Sequence, residues 1–207
     1  MSEYFYCKIG VKQGDSISPT LFACFLNDLS KEIKTTNLGV HLNCSDDNDG
    51  DSFTISNLLY ADDIVLLAET ENDLQSMLNI VFNWCNKWRM EVNLSKTEVL
   101  HIRKKNKPRS NFIFKLGHQT VKYCEEYKYL GLTINEHLDF KQTTDILAES
   151  GGRSLSSVIT KMIKNGGFPL NVFKVLFESC VCSVTDYGSE VWGYKEHDSV
   201  NKIQQNT

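Results

Sequence analysis

The sequence predicts an α+β fold followed by a helical region, on three observations. Residues 58–68, Leu-Leu-Tyr-Ala-Asp-Asp-Ile-Val-Leu-Leu-Ala, place two apolar runs of strand length around an adjacent acidic pair, which reads as strand–turn–strand. Leu74, Met77, Leu78, Val81, Cys85 and Trp88 then recur at helical spacing, predicting a long amphipathic helix to about residue 89. Short alternating segments between residues 99 and 134 read as further strands. Such a mixture argues an α+β layer over residues 1–135. From residue 136 glycine pairs separate helical stretches, so 136–207 reads as a second, helical region.

The first element in chain order is the loop Gly10-Val11-Lys12-Gln13-Gly14-Asp15-Ser16-Ile17-Ser18-Pro19. Ser18 is placed as an N-cap and Pro19 as the first helical residue. The helix then carries Leu21, Phe22, Phe25, Leu26, Leu29 and Ile33 on one stripe. A glycine loop running into a helix N-terminus can bring backbone N–H groups to an anion, although most such turns only redirect the chain. Ser45-Asp46-Asp47-Asn48-Asp49-Gly50-Asp51 fails as a calcium loop. With Gly50 sixth, serines stand at positions one and twelve, where carboxylates are required.

The acidic pair itself is a poor choice for turn geometry, since two-residue hairpin turns favour Asn-Gly or Asp-Gly. Two carboxylates about 4 Å apart repel by roughly 1 kcal/mol in water and by about 4 kcal/mol at an effective dielectric near 20. A divalent cation reverses that penalty, and hard oxygen ligands suit Mg²⁺. Taken by itself the pair reads more plainly as an exposed acidic turn. After it, Thr70-Glu71-Asn72-Asp73 forms a capping box with Asp in the acidic position. Asn93–Lys96 is a turn, Val99–Ile102 a strand, Arg103–Arg109 a basic loop, Phe112–Leu116 a strand, and Gly117 a turn. Val121–Tyr123 and Tyr127–Ile134 complete the strands. In the helical region 153–164 and 169–182 are clearest, with Gly151-Gly152 and Gly166-Gly167 as breaks. Val172, Val175, Leu176, Ser179 and Cys180 are the expected buried face of 169–182. Tyr187, Trp192 and Tyr194 in the tail suit packing on a neighbour or on nucleic acid.

Composition excludes several classes. No apolar run approaches the ~20 residues of a membrane span, and Met1–Gly10 lacks a signal-peptide apolar core, so an intracellular, membrane-free protein is expected. Seven cysteines, an odd number, fit reduced thiols better than a disulfide framework. Cys180, Cys182 and His197 lack the spacing of a zinc site. The net charge of −4 is unevenly spread: residues 101–128 hold eight Lys/Arg against two Asp/Glu. That block is either a phosphate-tracking strip or a solvated loop.

Four motifs stand in fixed order: GVKQGDSISPTLF, LLYADDIVLLA, VNLSKT and YKYLGLTI. Together they resemble the reverse transcriptases of non-LTR (LINE-type) retrotransposons, from the second palm motif through the primer grip into the thumb, over nearly the whole chain. The resemblance implies an RNA-directed DNA polymerase acting on an RNA template, a DNA primer and dNTPs, with Mg²⁺ or Mn²⁺ as cofactor, and action in the nucleus. It places Asp62 and Asp63 at the catalytic, metal-binding aspartates and Tyr60 beside the primer end and incoming nucleotide. Gln13 and Gly14 match the nucleotide-contacting loop. Lys96 matches the lysine that steadies or protonates pyrophosphate, a solvated turn lysine being the alternative. Tyr129, Leu130 and Gly131 match the primer grip, a plain strand-end turn being the alternative.

The chain also departs from the family pattern. The first palm motif, a strand bearing another metal-binding aspartate, precedes the GVKQG loop in the family, and Met1–Ile9 contain no Asp. Asp15 stands where the family has a small or apolar residue. The expectation is therefore a palm–thumb part, catalytically incomplete alone and assembled with an N-terminal polymerase part in trans if active. The alternative is a non-catalytic module binding nucleic acid or a partner.

Overall fold

A computed structural model describes residues 14–43 and 52–205. The loop up to Gln13 and the acidic segment Ser45–Asp51 lie outside the described residues. The first elements are α1 (Ser18–Thr35), β1 (Val40–Asn43), β2 (Ser52–Ile55), β3 (Asn57–Tyr60), β4 (Asp63–Leu66) and α2 (Glu71–Trp88). Six short strands follow: β5 (Glu98–Leu100), β6 (Lys115–Leu116), β7 (Gln119–Thr120), β8 (Lys122–Cys124), β9 (Glu126–Tyr129) and β10 (Leu132–Asn135). The remainder is helical: α3 (Lys141–Lys164), α4 (Leu170–Phe177), a π-helical turn (Glu178–Cys182), α5 (Ser183–Thr185), α6 (Ser189–Trp192) and α7 (Asp198–Gln205). The mixed helix-and-strand class is as predicted. Among the described residues, however, the strands form five separate two-stranded ladders rather than one sheet. Among the described residues no helix is long and apolar enough to cross a membrane.

The chain divides into two compact units, Met1–Thr97 with Asn111–Lys122, and Glu98–Ser110 with Tyr123–Thr207. In the first, α1 buries Leu26, Leu29 and Ile33, and α2 buries Met77, Leu78, Val81, Trp84 and Cys85, following the two apolar stripes. Phe25 of α1 lies 5.0 Å from the Trp84 ring and 5.2 Å from that of Trp88. Thr70 caps α2 by accepting the Asp73 N–H at 3.2 Å while its hydroxyl donates to the Asp73 carboxylate at 2.7 Å. The Gln75 amide pairs with the Lys115 backbone on both sides, at 2.8 and 2.9 Å, and so ties α2 to β6. The start of α1 differs from the expectation. Ile17, not Ser18, is the N-cap, and the Asp15 carboxylate accepts the Ile17 N–H at 3.1 Å. Asp15 is thus used locally, in the turn that starts the helix.

The second unit is built on the β9–β10 hairpin, with Leu132, Phe140, Ala148, Trp192 and Val200 in one apolar cluster. Two helical expectations are corrected here. Gly151-Gly152 does not break the chain, because α3 runs unbroken from Lys141 to Lys164. A Cβ on buried Gly151 would meet Thr185 Cγ2 at 2.5 Å, so the missing side chain serves close packing rather than a turn. The expected buried face of 169–182 is also not buried. Val175 is 62% exposed, Ser179 and Cys180 are exposed, and α4 buries no residue. Val181, inside the π-helical turn, is buried instead.

Candidate functional site

The acidic pair sits at the tip of a tight hairpin whose register is set by a buried polar contact. Asn57, 8% exposed, donates to the Ser30 hydroxyl of α1 at 3.0 Å and accepts from Ser56 at 3.0 Å. That anchors one face of β3, and a one-residue slip would turn Asn57 outward. The ladder then pairs Asn57 with Leu66, Leu58 with Val65, Leu59 with Ile64 and Tyr60 with Asp63. The turn residues are therefore Ala61-Asp62 and not Asp62-Asp63. Ala61 has φ 51°, the left-handed value that usually selects glycine at the first centre of such a turn. Asp63 opens β4 opposite Tyr60. Tyr60 is 61% exposed, and Asp62 and Asp63 are exposed beside it.

The other candidates of this unit stand on separate turns. Gly14 has φ 82° just ahead of α1, while Gln13 lies outside the described residues. Lys96 is exposed in a turn organised by Asn93, whose carbonyl accepts the Lys96 N–H at 3.1 Å and the Thr97 hydroxyl at 2.9 Å. The hairpin thus gathers Tyr60, Asp62 and Asp63. Carboxylate oxygens are the donors that Mg²⁺ and Mn²⁺ prefer. Among the described residues no group of three His, Cys, Asp or Glu side chains could hold a metal ion.

In the second unit Tyr129, Leu130 and Gly131 form the β9–β10 turn. Tyr129 pairs with Leu132, and Leu130 and Gly131 take φ 47° and 88°. Positive φ at both centres is the I′ geometry that matches strand twist, and glycine at the second centre adopts it without strain.

The basic loop 103–109 is only partly a free cationic surface. Arg103 Nη2 lies 2.6 Å from Glu136 Oε1, and Arg109 Nη2 lies 2.7 Å from Oε2. Glu136 is 9% exposed, and His137 Nε2 approaches it at 3.4 Å. The hydrogen bond from Arg109 holds the Glu136 carboxyl below the usual glutamate range, against burial, which pushes it up. The same bond raises Arg109. Two of the block's cations are thus structural, a role that only their acidic partner about thirty residues on could have revealed. Lys104, Lys105 and Lys107 remain exposed. The unfolded chain binds Glu136's proton more readily than the native one, so its stabilisation is complete above the ordinary carboxylate range. It is lost as pH falls through the lowered native value. Glu136→Gln should lower the melting temperature at neutral pH and flatten the acid limb of the stability curve below about pH 5. Equal acid sensitivity in both proteins would assign that limb to other groups.

The five described cysteines are thiols. Burial, with Glu98 adding to it, pushes Cys124 up to about 11. A thiol so placed is packing, not a nucleophile.

Residues 1–134 match the family described as reverse transcriptase (RNA-dependent DNA polymerase). The RNA-directed DNA polymerase from mobile element jockey of Drosophila melanogaster is 22% identical over 205 residues, 94% of this chain and 20% of the relative. A transposon-derived protein of Caenorhabditis elegans is 30% identical over 149 residues, 69% of this chain and 50% of the relative. The Pol polyprotein from a type-1 R2 retrotransposable element of Nasonia vitripennis is 29% identical over 136 residues, 62% of this chain and 12% of the relative. The chain spans half or less of the length of each of these relatives. No solved structure matches it. The chain belongs to the reverse transcriptase (RNA-dependent DNA polymerase) family, in the company of non-LTR retrotransposon polymerases.

Proposed function

We propose that the chain supplies the later palm, to about residue 135, and a thumb-like region, 136–207, of the RNA-directed DNA polymerase of a non-LTR retrotransposon. One observation carries this reading: the β3–β4 hairpin presents adjacent, exposed Asp62 and Asp63 at its tip. Mg²⁺ binds through one or two carboxylates while keeping several waters, so these two residues fit Mg²⁺ or Mn²⁺ and would hold it. Bound there, the ion supplies the positive charge that nucleotidyl transfer needs at its phosphoryl oxygens. Tyr60, paired with Asp63, offers an exposed ring beside the carboxylates for the primer end or the incoming dNTP. Gln13 and Gly14 would contact that nucleotide's sugar, with the glycine allowing close backbone approach. Lys96 offers a proton or a positive charge to departing pyrophosphate. Tyr129, Leu130 and Gly131 meet the DNA primer on its RNA template.

Primer extension tests the reading. The chain joined to the fingers and first palm strand of a close relative should extend a primer, and the same fusion carrying Asp62→Ala should not. Equal extension by both would remove the hairpin as the site.

Nucleic-acid binding by the chain itself should be weak, salt-sensitive and independent of sequence. Neutralising Lys104, Lys105 and Lys107 together should reduce the slope of log K against log salt by about 2 to 3. Arg109 is left intact in that variant because it serves Glu136. An unchanged slope would place the phosphate contacts elsewhere.

A further inference from the structure

The β9–β10 turn is held from outside by one residue. Tyr187, which follows α5, donates its hydroxyl to the Leu130 carbonyl at 2.6 Å. Its ring covers Gly131, where an added Cβ would meet Tyr187 Cε1 at 3.1 Å and Oη at 3.4 Å. The next residue presses on the strand beyond: a Cβ on Gly188 would meet Leu132 Cδ1 at 2.5 Å. Tyr187 is itself anchored, since its carbonyl accepts the Trp192 indole N–H at 3.0 Å. Trp192 belongs to the same buried cluster as Leu132. Tyr187 and Trp192, expected to suit packing on a neighbour or on nucleic acid, thus engage their own hairpin, while Tyr187 stays 49% exposed.

The backbone explains why a hold is needed. Leu130 has φ 47°, a left-handed value that an L-residue with a Cβ adopts only at a cost. That cost is of the same order as the contribution of one neutral hydrogen bond. The unit repeats the device once. Leu138, at φ 52°, has its carbonyl bonded by the Tyr194 hydroxyl at 3.3 Å. Each of these left-handed leucines is thus tied by a tyrosine from the C-terminal segment, but only the Leu130 turn carries proposed primer contacts.

We propose that Tyr187 is a positioning residue for the primer end. It locks Leu130-Gly131 in the one conformation that the primer terminus meets, and so couples the C-terminal helices to primer recognition. This rests on the primer-grip reading of the turn given above.

The test uses the full 207-residue chain and fluorescence anisotropy with two probes. One is an RNA template annealed to a DNA primer with a recessed 3′ end, and the other is the same RNA unprimed. The readout is the ratio of the two dissociation constants, because a general loss of fold weakens both. Tyr187→Phe removes only the O–H. It should cut the preference for the primed probe roughly fivefold, the effect of one neutral hydrogen bond, and speed amide exchange at Leu130–Leu132. Gly131→Ala, which drives a Cβ toward the Tyr187 ring, should cut the ratio as well. Tyr194→Phe should leave it at the wild-type value. A wild-type ratio in Tyr187→Phe, with or without faster exchange, would assign Tyr187 to the fold alone and overturn the proposal. A wild-type chain without preference for the primed probe would instead overturn the primer-grip reading, and this inference with it.

Discussion

Primer extension by the 207-residue chain alone should run on the order of 100-fold or more below that of a fusion supplying the fingers and first palm strand. Asp62→Ala should return the fusion to the level of the bare chain. The size follows from the site. Asp62 and Asp63 are two carboxylates, and no third ligating side chain joins them in a cluster among the described residues. In the proposed reading Asp62 and Asp63 would hold the divalent ions that steady charge at the reacting phosphoryl group, and a displacement of such groups by about 1 Å would cost ~100-fold. Among the described residues β3 and β4 pair only with each other, so no further strand flanks the hairpin there. Leu58, 45% exposed, and Tyr60 stand uncovered on one face. Open strand edges recruit other chains, so the fusion should be more soluble as well as more active. Robust extension by the bare chain, abolished by Asp62→Ala, would sink the idea that the hairpin needs a further strand. Inactivity of every fusion would favour the non-catalytic binding reading.

Much of this architecture was legible because its signals are local. The stripes of α1 and α2 and the Thr70 cap each depend on residues within a few positions, whereas Tyr127–Ile134, read as strand, folds back at Leu130-Gly131 into β9 and β10. What escaped depends on partners far along the chain. Asn57 sets the hairpin register through Ser30, twenty-seven residues away, and thereby puts Ala61 where glycine would be expected. Gly151 reads as a helix break until Thr185 is placed against it. Arg103 and Arg109 read as phosphate-binding cations until Glu136 claims them. The π-helical turn at Glu178–Cys182 was not read from the sequence, and the buried Val181 lies within it. For the candidate site the residue types were readable, whereas the turn that separates Asp62 from Asp63 was not.

Trp192→Ala should be the most damaging single truncation in the C-terminal unit. The side chain is 6% exposed and packs with Leu132, Phe140, Ala148 and Val200. Its ring meets His197 edge-on at 5.6 Å. Emptying such a site costs about 3–5 kcal/mol, because the neighbours collapse only partly into the cavity. For a chain of this length that lowers the melting temperature by on the order of 10 °C. The indole N–H also holds the Tyr187 carbonyl, so the truncation frees the residue that braces the β9–β10 turn. Trp192→Phe separates the two effects: it keeps most of the ring and removes the N–H. Its melting temperature should fall by much less, while amide exchange at Leu130–Leu132 should still rise. Thermal melts of the three proteins by circular dichroism, with exchange measured on each, decide the matter. A Trp192→Ala melt within about 2 °C of wild type would show that this cluster does not hold the unit together. Unchanged exchange in Trp192→Phe would show that Tyr187 needs no anchor beyond its own hydroxyl.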